Sequence, residues 1–132
     1  MKAKMLMGIS IGIMCLCPLL FCEPSLFAQD RTGDVVRIAE LEIDPAQLDP
    51  YKAALREEIE ASIRVEPGVL SLYAVSVKGQ PNQIRLFERY ASTATYRAHL
   101  QSEHFKKYKS QTAHMVKSLR LIETEPILLG AK

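Results

Sequence analysis

Two β-rich runs stand back to back in the middle of the chain, VLSLYAVSV (69–77) and QIRLFERY (83–90), with only KGQPN between them. A parallel pair would need a crossover of about a dozen residues, so this short link with its Gly and Pro imposes an antiparallel hairpin. What flanks the hairpin then decides the fold. Upstream, DVVRIAELEI (34–43) alternates as a strand, with Val36 and Ile38 on one side and Leu41 and Ile43 on the other. Apolar residues on both sides imply cover on two faces. LDPYKAALREEIEASIRV follows, and its Leu48, Tyr51, Leu55, Ile59 and Ile63 recur at steps of three and four, leaving Arg56, Glu57, Glu58 and Glu60 elsewhere on the wheel. Asp49 is placed to cap this helix and Pro50 to open it, and EPG (66–68) stops it.

Downstream of the hairpin, Ser92 caps TATYRAHL, and Gln101 with Ser102 breaks that helix from a second one, EHFKKYKSQTAHMVKSL, which Ser102 caps in turn. A last run, LRLIETEPILL, reads as a strand with Pro126 near its end, which suits an edge position. The order β-α-β-β-α-α-β is the split βαβ pattern of an α+β, ferredoxin-like sandwich: one sheet with helices on one face. Both alternating sets of the hairpin strands are apolar, with Leu70 and Leu72 opposing Val69, Tyr73, Val75 and Val77, and Phe87 opposing Ile84 and Leu86. An open sheet face of that kind predicts a homodimer joined sheet to sheet, a dimeric α/β barrel.

The first residues read as a targeting segment. Lys2 and Lys4 precede the uncharged run MLMGISIGIMCLCPLLF, and the polar CEPSLFAQD follows, the three-part layout of a secretory signal peptide. Cleavage near Ala28 leaves residues 29–132 as one domain, periplasmic or secreted, with no stable membrane insertion. A lipoprotein anchor at Cys22 is the rival, supported by Leu19 and opposed by the bulk of Phe21. Cys15, Cys17 and Cys22 all fall in this segment, so the domain has neither a disulfide nor a thiolate metal site. With 17 Lys and Arg against 15 Asp and Glu, the charge is balanced, which is not a nucleic-acid-binding composition.

Several chemistries are excluded by pattern. No G-x-G run offers a dinucleotide or phosphate loop, and there is no G-x-S-x-G elbow. His99 and His104 are five apart across a helix break, and His114 is ten further on, so helical spacing makes no metal site of them. Lys106, Lys107, Lys109 and Lys117 read as a solvated helix face. That leaves YRAHLQSEHFKKY. His99, one turn after Tyr96, is either a hydrogen-bonded core or dimer residue or a proton acceptor. His104 opens the second helical piece, as a pocket residue or a cap; Phe105 and Tyr108 share a face, as core and pocket wall. Glu88, between large apolar neighbours, needs a partner if it points inward, with Arg37, Arg85 and Arg120 available.

IRLFERYASTATYRAHLQSEHFKKY resembles the segment that marks the antibiotic-biosynthesis-type monooxygenases, in particular their quinol monooxygenase branch. The matching positions are Glu88, Tyr90, Ala98, His99, Leu100, Ser102, His104 and Phe105, and EPG and IAELEI also look like the family's, over nearly all of residues 35–128. The resemblance implies a dimeric ferredoxin-like barrel that oxidises hydroxylated aromatics with O₂ and needs no metal, flavin or other cofactor. Its partners would be a small aromatic substrate, O₂ and a second copy of the chain, not nucleic acid. His99 is the implied catalytic base, with Tyr73, Glu88, His104, Phe105, Tyr108 and Arg120 as the substrate-binding set. Haem-degrading relatives are set aside, because the chain has no Trp, its first strand has no Asn, and FKKYK offers Tyr108 and Lys109 where a haem ligand should be. A non-catalytic dimeric small-molecule-binding protein, and an isomerase of the related quorum-signal-degrading branch, are the alternative expectations.

Overall fold

The computed structural model describes residues 33–130. The expected signal peptide, the Ala28 cleavage point and the Cys22 anchor lie outside the described residues. The elements run β1 (Val35–Ile43), a 3₁₀ turn (Pro45–Gln47), α1 (Leu48–Val65), β2 (Val69–Val77), β3 (Gln80–Tyr90), α2 (Thr93–Gln101), α3 (Glu103–Thr112) and β4 (Val116–Thr124). The four strands form one antiparallel sheet in the order β2-β3-β1-β4, so β4 is an edge strand as expected and β1 is central. This is the α+β ferredoxin-like arrangement. Among the described residues no helix is long and apolar enough to cross a membrane.

Three local details differ from the sequence expectation. The first helix starts at Leu48, just ahead of Asp49 and Pro50, and a 3₁₀ turn precedes it: Asp44 accepts from the Ala46 amide and caps that turn, which runs into α1. Asp49 therefore sits inside the first turn, where its charge complements the positive helix end. The hairpin link is only Lys78–Gly79. Gly79 has φ +79°, which favours glycine, and Pro81 falls in β3 where the β2–β3 register shifts, so its missing amide proton breaks no regular ladder. Finally, α3 stops at Thr112 and the last strand begins at Val116, three residues before the expected Leu119, so that Val116–Ser118 is strand where a continued helix was expected. Pairing with nearly the whole of β1, Ile38 to Ile122 and Leu41 to Leu119, outweighs the helical spacing of that segment. Pro126 lies beyond the strand.

The core forms between one sheet face and the helices. Ala39, Leu41 and Ile43 of β1, Ile84 of β3, Tyr51 and Leu55 of α1, Tyr108 of α3 and Met115 are buried together. Tyr51 and Tyr108 share a hydrogen bond between their hydroxyls at 2.7 Å, which satisfies two phenols inside an apolar core. Burial pushes the Tyr51 phenol up to about 12. Gly68 lets the α1–β2 turn dock on α2, because a Cβ there would lie 2.3 Å from the Thr95 methyl carbon. Among the described residues the other sheet face carries no helix. Tyr73 and Phe87, paired in register, stand 65% and 44% exposed on it, with Val75 beside them.

Candidate active site

The site is built where α1 ends and α2 turns into α3. Ser92 and Thr95 form a reciprocal capping box that fixes the start of α2, and one turn further on His99 points inward, 2% exposed. Ser102 then does two things at the corner: its hydroxyl donates to the His99 carbonyl at 2.7 Å and accepts from the Phe105 amide at 3.3 Å. The chain doubles back, and His104 comes to lie beside His99 with ring centroids 6.3 Å apart. Helical spacing could not foresee this, because the turn, not the helix, sets the separation.

Two carboxylates of α1 and its C-terminal turn meet these imidazoles. The Glu66 Oε1 is 2.9 Å from His99 Nδ1 and 2.5 Å from His104 Nε2. Glu58 Oε1 accepts from the Ser62 hydroxyl at 2.7 Å and lies 3.6 Å from His99 Nε2. Burial alone would raise the Glu66 pKa; the hydrogen bonds from His99 and His104 outweigh it and hold the carboxyl below its usual range. Glu58 goes the other way, raised by burial against the Ser62 hydrogen bond and the nearby imidazoles. Burial also raises Glu88, whose Oε2 accepts from Tyr90 at 3.0 Å. The Tyr90 hydroxyl is raised in its turn by burial and by Glu88.

The His99 ring is packed between Phe105, at 4.8 Å between centroids, and Tyr90, at 5.3 Å. Beside it, between sheet and helices, is a cavity of about 90 Å³ lined by Arg37, Ala39, Leu41, Leu86, Glu88, Tyr90, Tyr96, Leu100, Phe105, Tyr108, Lys109, Leu119 and Leu121. A smaller one, about 30 Å³, is bordered by His99 and Glu58 and shares Leu86, Glu88, Phe105 and Tyr108 with the first. The Arg37 guanidinium lies 4.6 Å over the Tyr96 ring and pairs with the exposed Glu123 at 3.1 Å. Glu58, His99 and His104 bring ligating atoms within 4.8 Å of one another, close enough to converge on a cation. The hydrogen bonds to Glu66 give both imidazoles a partner without one.

Of the residues singled out from the sequence, His99, Glu88, Phe105 and Tyr108 are brought together around the cavities. His104 joins through Glu66 and borders a shallow cleft with Glu57, Glu58 and Lys107. Tyr73 borders the smaller cavity together with His99, whereas Arg120 is not brought together with His99. Strand alternation puts both on the helix-free face, Tyr73 against Phe87 and Arg120 against Glu40, with Nη1 3.4 Å from Glu40 Oε2. Glu88 is answered by a tyrosine and not, among the described residues, by an arginine salt bridge. Glu58 and the role of Glu66 were missed. The signal for Glu58 was present: Tyr51, Leu55, Glu58 and Ser62 follow steps of four, three and four, and these are the residues α1 buries.

The sequence profile described as antibiotic biosynthesis monooxygenase matches residues 34–111. The chain belongs to that family. Among solved structures, a Bacteroides thetaiotaomicron protein assigned to the antibiotic biosynthesis monooxygenases is 48% identical with a TM-score of 0.73, over 76% of this chain and 95% of that one. A Lactobacillus acidophilus protein assigned as a monooxygenase is 27% identical with a TM-score of 0.67, over 69% of this chain and 43% of the other. A Nitrosomonas europaea member shares the fold at a TM-score of 0.68 with 21% identity, over 71% of this chain and 99% of that one. No curated protein matches the sequence.

Proposed function

We propose that this family member is a cofactor-independent monooxygenase of quinols or related hydroxylated aromatics. The observation that carries the reading is His99: a buried imidazole bordering a cavity, with Nδ1 bound to a carboxylate and Nε2 without a side-chain hydrogen bond among the described residues. An aromatic seated against Leu86, Phe105 and Tyr108, which line both cavities, would lie beside the His99 ring. Nε2 takes the phenolic proton, and the electron-rich phenolate reduces O₂. The apolar walls keep water from the intermediates, and Arg37 and Lys109 favour the oxygen anions that form. The balance is a dihydroxy aromatic plus O₂ giving a hydroxyquinone plus water, one oxygen atom entering each product.

The working unit in this reading is a homodimer joined through the helix-free face, exported by an N-terminal signal peptide cleaved near Ala28. Exposed Tyr73, Val75 and Phe87 support the first part, and the basic, apolar, then polar layout of residues 1–30 supports the second. Incubation with a panel of dihydroxynaphthalenes under ¹⁸O₂ tests the activity. One ¹⁸O per hydroxyquinone and one O₂ consumed per quinol are expected, with no loss on treatment with a chelator. Ligand-induced thermal shifts without oxygen uptake would leave a binding protein instead.

A further inference from the structure

We propose that Glu66 is the positioning residue of this site: it fixes His99 in the Nδ1–H tautomer and so leaves Nε2 as the open proton acceptor. An ionised carboxylate only accepts hydrogen bonds, so each imidazole nitrogen facing it must carry a proton. Glu66 Oε1 receives both His99 Nδ1 at 2.9 Å and His104 Nε2 at 2.5 Å. The two donors keep the Glu66 carboxyl below its usual pKa, so it stays an acceptor. A neutral imidazole has one N–H, and here it is committed to Nδ1. On the far side of the ring, Glu58 Oε1 accepts from Ser62 and is 3.6 Å from Nε2, beyond a hydrogen bond. No other side chain satisfies Nε2 among the described residues.

The carboxylate is itself held from several directions. The Glu66 amide donates to the Ser62 carbonyl, its carbonyl accepts from the Val69 amide, and Gly68 packs against Thr95 of α2, the helix that carries His99. The Ala91 amide donates to the Gly68 carbonyl at 2.9 Å, tying the same turn to the start of that helix. His104, the second donor, stops Oε1 from swinging away from His99. This is the logic of any carboxylate–imidazole pair: the acid orients the base and chooses its tautomer without touching the substrate. Glu58, although nearer to Nε2, cannot serve this role at 3.6 Å.

Only the effect on turnover rests on His99 being the base; the tautomer itself does not. In the ¹⁵N-histidine-labelled, purified chain, long-range ¹H–¹⁵N correlation at about pH 9, well above the ordinary histidine range, reads the tautomer directly. The expected result is Nδ1 protonated and Nε2 bare at His99, with Glu66→Gln mixing or reversing the two forms. Glu66→Gln should also lower turnover roughly 10- to 100-fold with little change in KM. A wild-type His99 found as Nε2–H overturns the assignment, as does a folded Glu66→Gln variant with an unchanged tautomer. If that variant fails to fold, the wild-type spectrum alone decides. If the tautomer is as expected and no dihydroxy aromatic consumes O₂, Glu66 still positions His99 and the monooxygenase reading falls instead.

Discussion

Glu58 and Glu66 flank the same imidazole and are pushed in opposite directions, which gives each a separate signature in stability against pH. Glu66 has a depressed folded pKa, so its contribution is present above the ordinary glutamate value of 4.5 and is lost as the pH falls through the folded pKa. Glu66→Gln should therefore lower Tm at neutral pH, by about 1–2 kcal/mol of stability, with the deficit closing in acid. Glu58 has a raised folded pKa, so the native state holds its proton more tightly, and stability declines as the pH rises from 4.5 toward the folded value. Glu58→Gln should raise Tm at neutral pH and leave it unchanged in acid. Melting curves of the two variants from pH 3 to 8 check both signs. In the core, Tyr108→Phe leaves the Tyr51 hydroxyl buried without its 2.7 Å partner and should cost about 1–3 kcal/mol. The double change to phenylalanine should cost less than the two single changes summed, measurable by denaturant titration.

At the scale of the elements, α2 is a short helix whose caps position His99. Ser92→Ala removes one half of the capping box and should destabilise the domain by about 0.5–2 kcal/mol, read from urea midpoints. Both this cap and the Ser102 break were legible in the sequence, because serine before a helical run has a local mechanism. The strand Val69–Val77 and the β-α-β-β-α-α-β order were legible for the same reason: alternation, spacing and turn residues are local signals. What was not legible depended on partners far along the chain. The face that α1 buries includes Glu58 and Ser62, and polar residues there make sense only once His99 is known to lie opposite. The helix-to-strand change after Thr112 needed β1, and the meeting of His99 with His104 needed the corner at Ser102. Arg120 was assigned to the site through a family resemblance that does not resolve which sheet face a side chain takes.

For the whole molecule, the helix-free sheet face predicts self-association. Ile38, Phe87 and Tyr73 lie in one row across β1, β3 and β2, and the Arg85 and Arg120 pairs with Glu40 stand beside them. Burying such a face would contribute about 25 cal/mol per Å² of apolar area before the costs of association. Light scattering at micromolar concentration should give a dimer, and Phe87→Asp should shift it toward monomer while the far-ultraviolet spectrum stays native. The proposed signal peptide makes a further expectation, an exported form beginning near Gln29, which intact-mass measurement of the exported protein decides against a lipid-modified Cys22. The proton acceptor is the claim on which the functional account turns, and its most direct test is the initial rate of oxygen consumption with 1,4-dihydroxynaphthalene, corrected for autoxidation. The wild-type protein should consume O₂ well above background, His99→Ala should lose roughly 10²- to 10⁴-fold in turnover, and His104→Ala much less. A folded His99→Ala protein that keeps near-full activity would show that the imidazole only packs, and would contradict the account.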